Sequence, residues 1–176
     1  MSLANKITIL RIFLIPIFII SLMYSQRNLA IIIFLLSIIT DGLDGIVARR
    51  FSQRSDLGSF LDPLADKLLL TSSFIVLAIR AEVEPLVAIL VVSREVILFL
   101  GWVTFYLLTG NLLAVSPTII GKFTTCLQMT TIILYLLRFF FAYPFCMIML
   151  AFLVFSTLEY LHKGSRKLTQ HGMETK

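Results

Sequence analysis

Four aspartates form the group of side chains best suited to chemistry in this sequence. Asp41 and Asp44 are three residues apart, and Asp62 and Asp66 are four residues apart. On a helix, each pair would lie on one face. Carboxylate oxygens are the ligands that Mg²⁺ and Mn²⁺ prefer, and two such ions could share four aspartates. The spacing therefore indicates a site for divalent cations between two neighbouring helices.

The apolar stretches around these acids support a cation site. An ionised residue at the centre of a membrane helix costs ~2.5–3.5 kcal/mol, so four uncompensated carboxylates would cost on the order of 10 kcal/mol. Positive charge must therefore lie among them. The alternative is that the acids cap helices or anchor them at an interface, which is the role we expect for Asp56.

Small residues continue the acidic face. Gly45 and Ala48 follow Asp41 at helical spacing, and Gly58 precedes Asp62 by four residues. A bulky planar group such as a nucleotide could approach the backbone there. Arg49 follows directly, where its guanidinium could bind phosphate.

The composition identifies the elements that must position these residues. The chain has 176 residues, of which 59% are hydrophobic and 14% charged. Soluble domains carry ~25% charged residues, so a soluble enzyme, a disordered chain and a disulfide-stapled secreted domain are all disfavoured. Six apolar windows are long enough to cross a bilayer: about 7–24, 29–48, 60–80, 85–108, 118–138 and 142–161. We predict an all-α integral membrane domain over 1–162 and a polar cytoplasmic tail over 163–176.

Basic residues set the predicted orientation. Eleven of them fall near the side that carries both termini and the loop after Arg49, whereas Arg27, Arg80 and Arg138 fall near the other side. The first side should therefore be cytoplasmic. The net charge of +5 suits anionic lipid better than nucleic acid in so apolar a chain. We expect Cys126 and Cys146 to be small buried hydrophobes, and His162 and His171 to be solvated.

The motif Asp41-x-x-Asp44-Gly45-x-x-Ala48-Arg49 followed by Gly58-x-x-x-Asp62-x-x-x-Asp66 resembles the signature of the CDP-alcohol phosphatidyltransferases at all eight positions. The stretch from Asn5 to Arg11, with Pro16 after it, is similar to the family's entry into its first span. Ser93-Arg94-Glu95 and Gly121-Lys122-Phe123-Thr124-Thr125 resemble later blocks of the phosphatidylglycerophosphate synthase and cardiolipin synthase branches. The resemblance covers the chain to about residue 160.

This resemblance implies a homodimeric six-transmembrane-helix bundle in a bacterial-type cell membrane, with its active site at the cytoplasmic end. It implies that the phosphatidyl group of CDP-diacylglycerol moves to an alcohol and that CMP is released. By matching position, two divalent cations would be held by Asp41, Asp44, Asp62 and Asp66, with Asp66 also the general base. The nucleotide would lie against Gly45, Ala48, Arg49 and Gly58, with Asn5 and Thr8 near the diphosphate.

The sequence does not fix the acceptor alcohol, and we rank glycerol 3-phosphate first, which corresponds to a phosphatidylglycerophosphate synthase. Basic residues that could bind an anionic acceptor such as glycerol 3-phosphate are Arg94, Lys122, Arg11 and Lys67. Arg94 should face the protein interior, on substrate or paired with an acid such as Glu95. Lys122 could point inward, which we favour, or reach the surface.

Two alternatives to a phosphatidyl transfer onto glycerol 3-phosphate are transfer onto phosphatidylglycerol and the transport of cations. The stretch from Val96 to Trp102 lacks a basic residue that phosphatidylglycerophosphate synthases often carry, which leaves room for phosphatidylglycerol as acceptor and hence a cardiolipin synthase. Intramembrane carboxylates also mark cation transporters. A transport path would distribute polar residues through the bilayer depth, whereas these acids cluster at one end.

Overall fold

The structure, a computed structural model, describes the backbone of residues 3–51, 56–109 and 119–174, and the side chains of 9–40, 66–101, 103, 104, 107 and 119–164. Within those ranges the chain forms six helices and no strand: α1 (Leu3–Met23), α2 (Arg27–Phe51), α3 (Asp56–Ile79), α4 (Pro85–Thr109), α5 (Ile119–Leu136) and α6 (Ala142–Glu174). Each apolar window of the sequence coincides with one helix. The prediction of an all-α fold is confirmed.

The chain divides into two compact units, of which the first comprises Met1–Pro85 and Tyr135–Arg138. In this unit α1 packs against both α2 and α3. Phe18 of α1 and Phe34 of α2 are fully buried, and their ring centroids are 5.7 Å apart. Phe74 and Leu77 of α3 are also fully buried. Ser37 and Ser73 are buried as well. Each hydroxyl donates to a carbonyl of its own helix, so these small residues need no partner on a neighbouring helix and allow the helices to pack closely.

In helix α1 the polar and apolar side chains are arranged in the opposite way to those of a surface helix in a soluble protein. Its described exposed side chains are all apolar, namely Leu10, Phe13, Pro16, Ile17, Ile20 and Met23. Arg11, by contrast, is only 1% exposed. An apolar outer face opposite a buried charge is what a hydrocarbon solvent favours. Pro16 lies within the helix, as membrane helices tolerate.

The second unit comprises Leu86–Leu134 and Phe139–Lys176. Its α6 buries Cys146, Met149, Leu153 and Ser156 at a spacing of three and four residues, which defines one packed face. Contacts between α5 and α6 include the rings of Phe123 and Phe152, whose centroids are 5.4 Å apart. Between α4 and α6, the Tyr160 hydroxyl donates to the Leu98 carbonyl at 3.3 Å.

Three helices end in a left-handed residue that is not glycine. Ser25, Ala81 and Arg138 follow α1, α3 and α5 with φ of 62°, 54° and 52°. In each case the next amide donates to the carbonyl five residues earlier, as in a Schellman motif: Gln26 to Ser21 (2.8 Å), Glu82 to Leu77 (2.9 Å) and Phe139 to Leu134 (2.9 Å). The three ends therefore terminate in the same hydrogen-bonded way.

Two helical stretches, Ile119–Leu136 and Ala142–Gly164, are long and apolar enough to cross a membrane among the residues described. Shorter apolar stretches cover Ile9–Met23 and Arg27–Thr40. Helix α6 continues to Glu174, so the polar segment after residue 162 begins within a helix. The expectation that both cysteines are buried is wrong for Cys126, which is exposed, and right for Cys146. His162 is exposed as expected, while the side chain of His171 lies outside the described residues.

Candidate functional site

The two halves of the aspartate motif lie on two consecutive helices. Asp41, Asp44, Gly45, Ala48 and Arg49 belong to the second half of α2, and Gly58, Asp62 and Asp66 to the first half of α3. Asp66 has a half-buried side chain. The side chains of the other seven, and those of Asn5 and Thr8 on α1, lie outside the described residues. The structure therefore gives their helical positions and not their contacts.

The far ends of these helices meet in a cluster of three charged residues, Arg27, Arg80 and Glu82, which we call the arginine cluster. Glu82 Oε1 accepts from Arg27 Nη2 at 2.7 Å and from Arg80 Nε at 2.9 Å. Arg80 Nη1 also donates to the Leu22 carbonyl at 2.5 Å. The start of α2 and the ends of α1 and α3 are thus held at one place.

Arg27 also connects the carboxyl end of α5 to this cluster. Its Nη1 atom donates to the carbonyls of Tyr135 (3.1 Å) and Leu136 (3.4 Å), the last residues of α5. Cations beside the carbonyl end of a helix interact favourably with its dipole. The sequence placed Arg27 and Arg80 on one side of the membrane, and their shared partner confirms that they lie together.

The arginine cluster gives a common origin for measuring positions along the three helices. Asp41 is fourteen residues after Arg27, Asp66 is fourteen before Arg80, and Thr8 is fourteen before Leu22. At ~1.5 Å per residue, each lies about 21 Å from the cluster. Each helix therefore carries a polar residue at about the same distance from the cluster, measured along its own axis.

A second level follows one turn further on. Asp44 is seventeen residues after Arg27, Asp62 is eighteen before Arg80, and Asn5 is seventeen before Leu22. These positions lie about 26 Å from the cluster along their helices. The motif positions of α1, α2 and α3 thus form two matched levels at the end opposite the arginine cluster.

The donor set fits divalent cations, although its geometry lies outside the described side chains. Among the side chains that are described, no group of three or more His, Cys, Asp or Glu is found. Only Asp66 of the four aspartates belongs to that part of the chain. Four aspartates at these helix positions would supply oxygen ligands alone, which suits Mg²⁺ or Mn²⁺ and not a soft metal.

The basic candidates for an acceptor site fall into different environments. Arg94 is 4% exposed and its Nη1 lies 2.5 Å from Glu95 Oε1. The expectation that it faces the interior is confirmed. Arg11 is buried and Lys67 half-buried in the first unit. Lys122 is exposed, and its inward orientation toward an acceptor stays a prediction.

Along α1, Arg11 lies close to the first of these two levels, the one that contains Thr8. It is eleven residues before Leu22, about 17 Å from the arginine cluster, and it belongs to the helix that contacts both α2 and α3. Arg11 therefore lies three residues, about one helical turn, from Thr8 on α1.

The sequence interpretation missed two polar features. Glu82 was not recognised as the shared partner of Arg27 and Arg80, although its position between two helix ends with arginines was a usable signal. Gln128 of α5 is fully buried, and within the described part of the chain its amide nitrogen and oxygen have no hydrogen-bond partner. A glutamine inside an apolar span was visible in the sequence.

Comparison with known proteins identifies the family. The profile described as CDP-alcohol phosphatidyltransferase matches residues 1–158. A Bacillus subtilis protein named CDP-diacylglycerol–glycerol-3-phosphate 3-phosphatidyltransferase is 33% identical over 147 residues, which cover 74% of each chain. A Mycobacterium tuberculosis protein named probable phosphatidylglycerophosphate synthase is 36% identical over 100 residues, covering 53% of this chain and 48% of that protein.

A third relative, from Pseudomonas fluorescens and with the same name as the B. subtilis protein, is 43% identical over 81 residues, 44% of this chain and 41% of that one. The chain spans about half the length of several of these relatives. The profile match, by contrast, includes every position of the aspartate motif. The chain therefore belongs to the CDP-alcohol phosphatidyltransferase family.

Proposed function

We propose that the chain transfers the phosphatidyl group of CDP-diacylglycerol to glycerol 3-phosphate and releases CMP, as a phosphatidylglycerophosphate synthase. The observation that carries this proposal is the pair of matched levels, which bring all four aspartate positions to one end of α2 and α3. The names of the B. subtilis and P. fluorescens relatives support glycerol 3-phosphate as acceptor.

The same proposal includes a membrane arrangement. Six spans, one for each helix, would place the motif at the cytoplasmic end of a bacterial cell membrane and the arginine cluster at the other end. The apolar outer face of α1 and the two membrane-capable stretches support it. We propose a homodimer as the working unit on the family resemblance alone.

Each residue of the site has a role in this mechanism. Asp41, Asp44, Asp62 and Asp66 would hold two divalent cations, which when bound would neutralise charge on the diphosphate. Arg49, Gly45, Ala48 and Gly58 would orient the cytidine end of the donor, and Asn5 and Thr8 would approach the diphosphate.

The bond changes follow from that orientation. Asp66 accepts the proton of the acceptor hydroxyl, whose oxygen forms a bond to the phosphorus that carries diacylglycerol. The bond from that phosphorus to CMP breaks, and CMP leaves with its electron pair. Alignment and charge neutralisation supply most of what phosphoryl transfer requires.

Phosphatidylglycerol is the second candidate acceptor. The stretch after Glu95 carries no basic residue until Lys122, and Arg94 already pairs with Glu95. An acceptor site with less available positive charge suits a phosphodiester better than a phosphomonoester. Of the four basic candidates for the acceptor site, Lys67 and Arg11 would then remain in the first unit.

The test offers CDP-diacylglycerol with each labelled acceptor to the purified protein and identifies the lipid product. We expect phosphatidylglycerophosphate from glycerol 3-phosphate. A product from phosphatidylglycerol alone would reverse the ranking, and metal flux into liposomes without CMP release would support a transporter. Asp62→Asn and Asp66→Asn should each lower turnover at least about a hundredfold. Asp56→Asn, at the first residue of α3, is the matched control and should retain it.

A further inference from the structure

Four exposed aromatic residues surround the turn between α5 and α6: Phe139, Phe140, Phe141 and Tyr143, which we call the aromatic turn. Their exposed fractions are 53%, 88%, 58% and 57%. The ring of Phe141 contacts the other two phenylalanine rings, with centroid distances of 6.0 Å to Phe139 and 5.4 Å to Phe140. The three phenylalanines therefore form a continuous apolar surface that the chain itself leaves uncovered, and Tyr143 follows two residues further along the chain.

Water is an unfavourable surrounding for this surface. Removing one large apolar side chain from water is worth about 1.5–3 kcal/mol, so four exposed rings in one place are costly. Contiguous apolar patches of this kind mark contacts with protein or membrane.

Hydrocarbon is equally unfavourable, because of a charge in the same turn. Arg138, which directly precedes Phe139, has an exposed side chain. A charged side chain is costly in the hydrocarbon core of a bilayer. The rings need an apolar surrounding while the guanidinium needs a polar one, and the headgroup boundary of a bilayer provides both.

The flanking helices bring the turn to that boundary. Ile119–Leu136 and Ala142–Gly164 are the two stretches with the length and composition of membrane spans in the described chain. Five residues, 137–141, connect α5 to α6. So short a connection between two spans has to lie at a membrane surface.

We propose that the aromatic turn is an interfacial anchor, whose rings insert at the boundary between lipid headgroups and acyl chains. The anchor fixes the depth of α5 and α6 in the bilayer. It is independent of the chemistry proposed for the aspartate motif.

The experiment uses tryptophan fluorescence of the full chain in lipid vesicles. Trp102 is the only tryptophan, so Trp102→Phe gives a silent background. Phe140→Trp is then introduced, with Phe141→Trp as a second probe should the first variant fold poorly. Phe155→Trp is the matched control, since Phe155 is also exposed (59%) but lies thirteen residues into α6. Quenching is compared between lipids brominated near the glycerol and near the chain end, and with aqueous acrylamide.

We expect Phe140→Trp to be quenched at least about twofold more by the shallow bromines than by the deep ones, and Phe155→Trp to show the opposite order. Strong acrylamide quenching of Phe140→Trp, with little effect of brominated lipid, would show that the turn extends into water. Stronger quenching by the deep bromines would place it in hydrocarbon. Either result would overturn the proposal.

Discussion

Glu82 Oε1 lies 2.7 Å from Nη2 of Arg27, and these two residues are 55 positions apart in the chain. The contact joins the first residue of α2 to the segment that follows α3. Both side chains are 18% exposed, so solvent screens the pair only in part. Because Arg80 shares the same oxygen, one carboxylate holds two guanidinium groups that also bind the carbonyl ends of α1 and α5.

The first prediction concerns this carboxylate. Glu82→Gln should lower the free energy of unfolding by about 2 kcal/mol, because it leaves two largely buried arginines without their counter-charge. Thermal unfolding in a defined detergent measures the effect. Glu84→Gln is the matched control, since Glu84 is exposed two residues away. Equal stability of the two variants would contradict a structural role for the arginine cluster.

The second prediction follows from the left-handed end of α3. Ala81→Gly should stabilise the protein by about 0.5–1 kcal/mol, because φ of 54° is unfavourable for alanine and not for glycine. Ala78→Gly, inside α3, should destabilise it by about 1 kcal/mol through lost helix propensity. The two variants make the same chemical change, and a shift of the same sign in both would rule out the backbone explanation.

The third prediction tests the packing of α4 against α6. A Cβ atom on Gly101 would lie 2.8 Å from a ring carbon of Tyr160, whereas one on Gly164 would meet nothing within 4 Å. Gly101→Ala should therefore destabilise the protein by about 1–3 kcal/mol. Gly164→Ala should be neutral or stabilise it by up to about 1 kcal/mol. Unfolding measurements that show no difference between them would contradict the close approach at Gly101.

The fourth prediction concerns the buried amide of Gln128. Gln128→Leu keeps the side-chain volume and removes two polar atoms that have no partner in the described part of the protein. It should raise the free energy of unfolding by about 1–3 kcal/mol. Thr131→Val is the control, because Thr131 is equally buried but donates to the Leu127 carbonyl at 2.7 Å. A loss of stability in Gln128→Leu would reveal a partner for the amide.

The fifth prediction separates metal binding from turnover. Mg²⁺ at about a hundred times its dissociation constant should stabilise the folded protein by about 2.7 kcal/mol, because it binds the native state alone. Asp41→Asn and Asp62→Asn should lose most of this shift in unfolding temperature. Glu84→Gln should keep it. If all three variants gain as much stability from Mg²⁺ as the original chain, the aspartates do not bind the metal.

Much of this fold was predictable because a long run of apolar residues is a clear signal of a long helix. All six helices coincide with predicted windows, and the buried state of Arg94 followed from the cost of charge in lipid. The burial of Cys126 was predicted wrongly for a related reason. In a soluble protein an apolar neighbourhood predicts burial, whereas in a membrane span it surrounds the lipid-facing side as well.

The contacts between distant residues could not be predicted in the same way. The sequence shows Arg27, Arg80 and Glu82 near helix ends, but which carboxylate binds which guanidinium depends on how the helices pack. Lys122 illustrates the same limit, because a long basic side chain near a helix start can turn either way without changing the sequence pattern. The aspartate motif was clear from its spacing, while its common height on α2 and α3 required the arginine cluster as a reference.

That reference has a consequence for how the chain tolerates changes in length. One residue inserted between Arg27 and Asp41, or between Asp66 and Arg80, would move an acidic pair ~1.5 Å further from the arginine cluster. It would also rotate the pair by about 100° around the helix axis. A residue inserted between Phe51 and Asp56 would change neither distance from the arginine cluster. A one-residue insertion should therefore be tolerated between Phe51 and Asp56 but not within α2 or α3 between the aspartates and the arginine cluster.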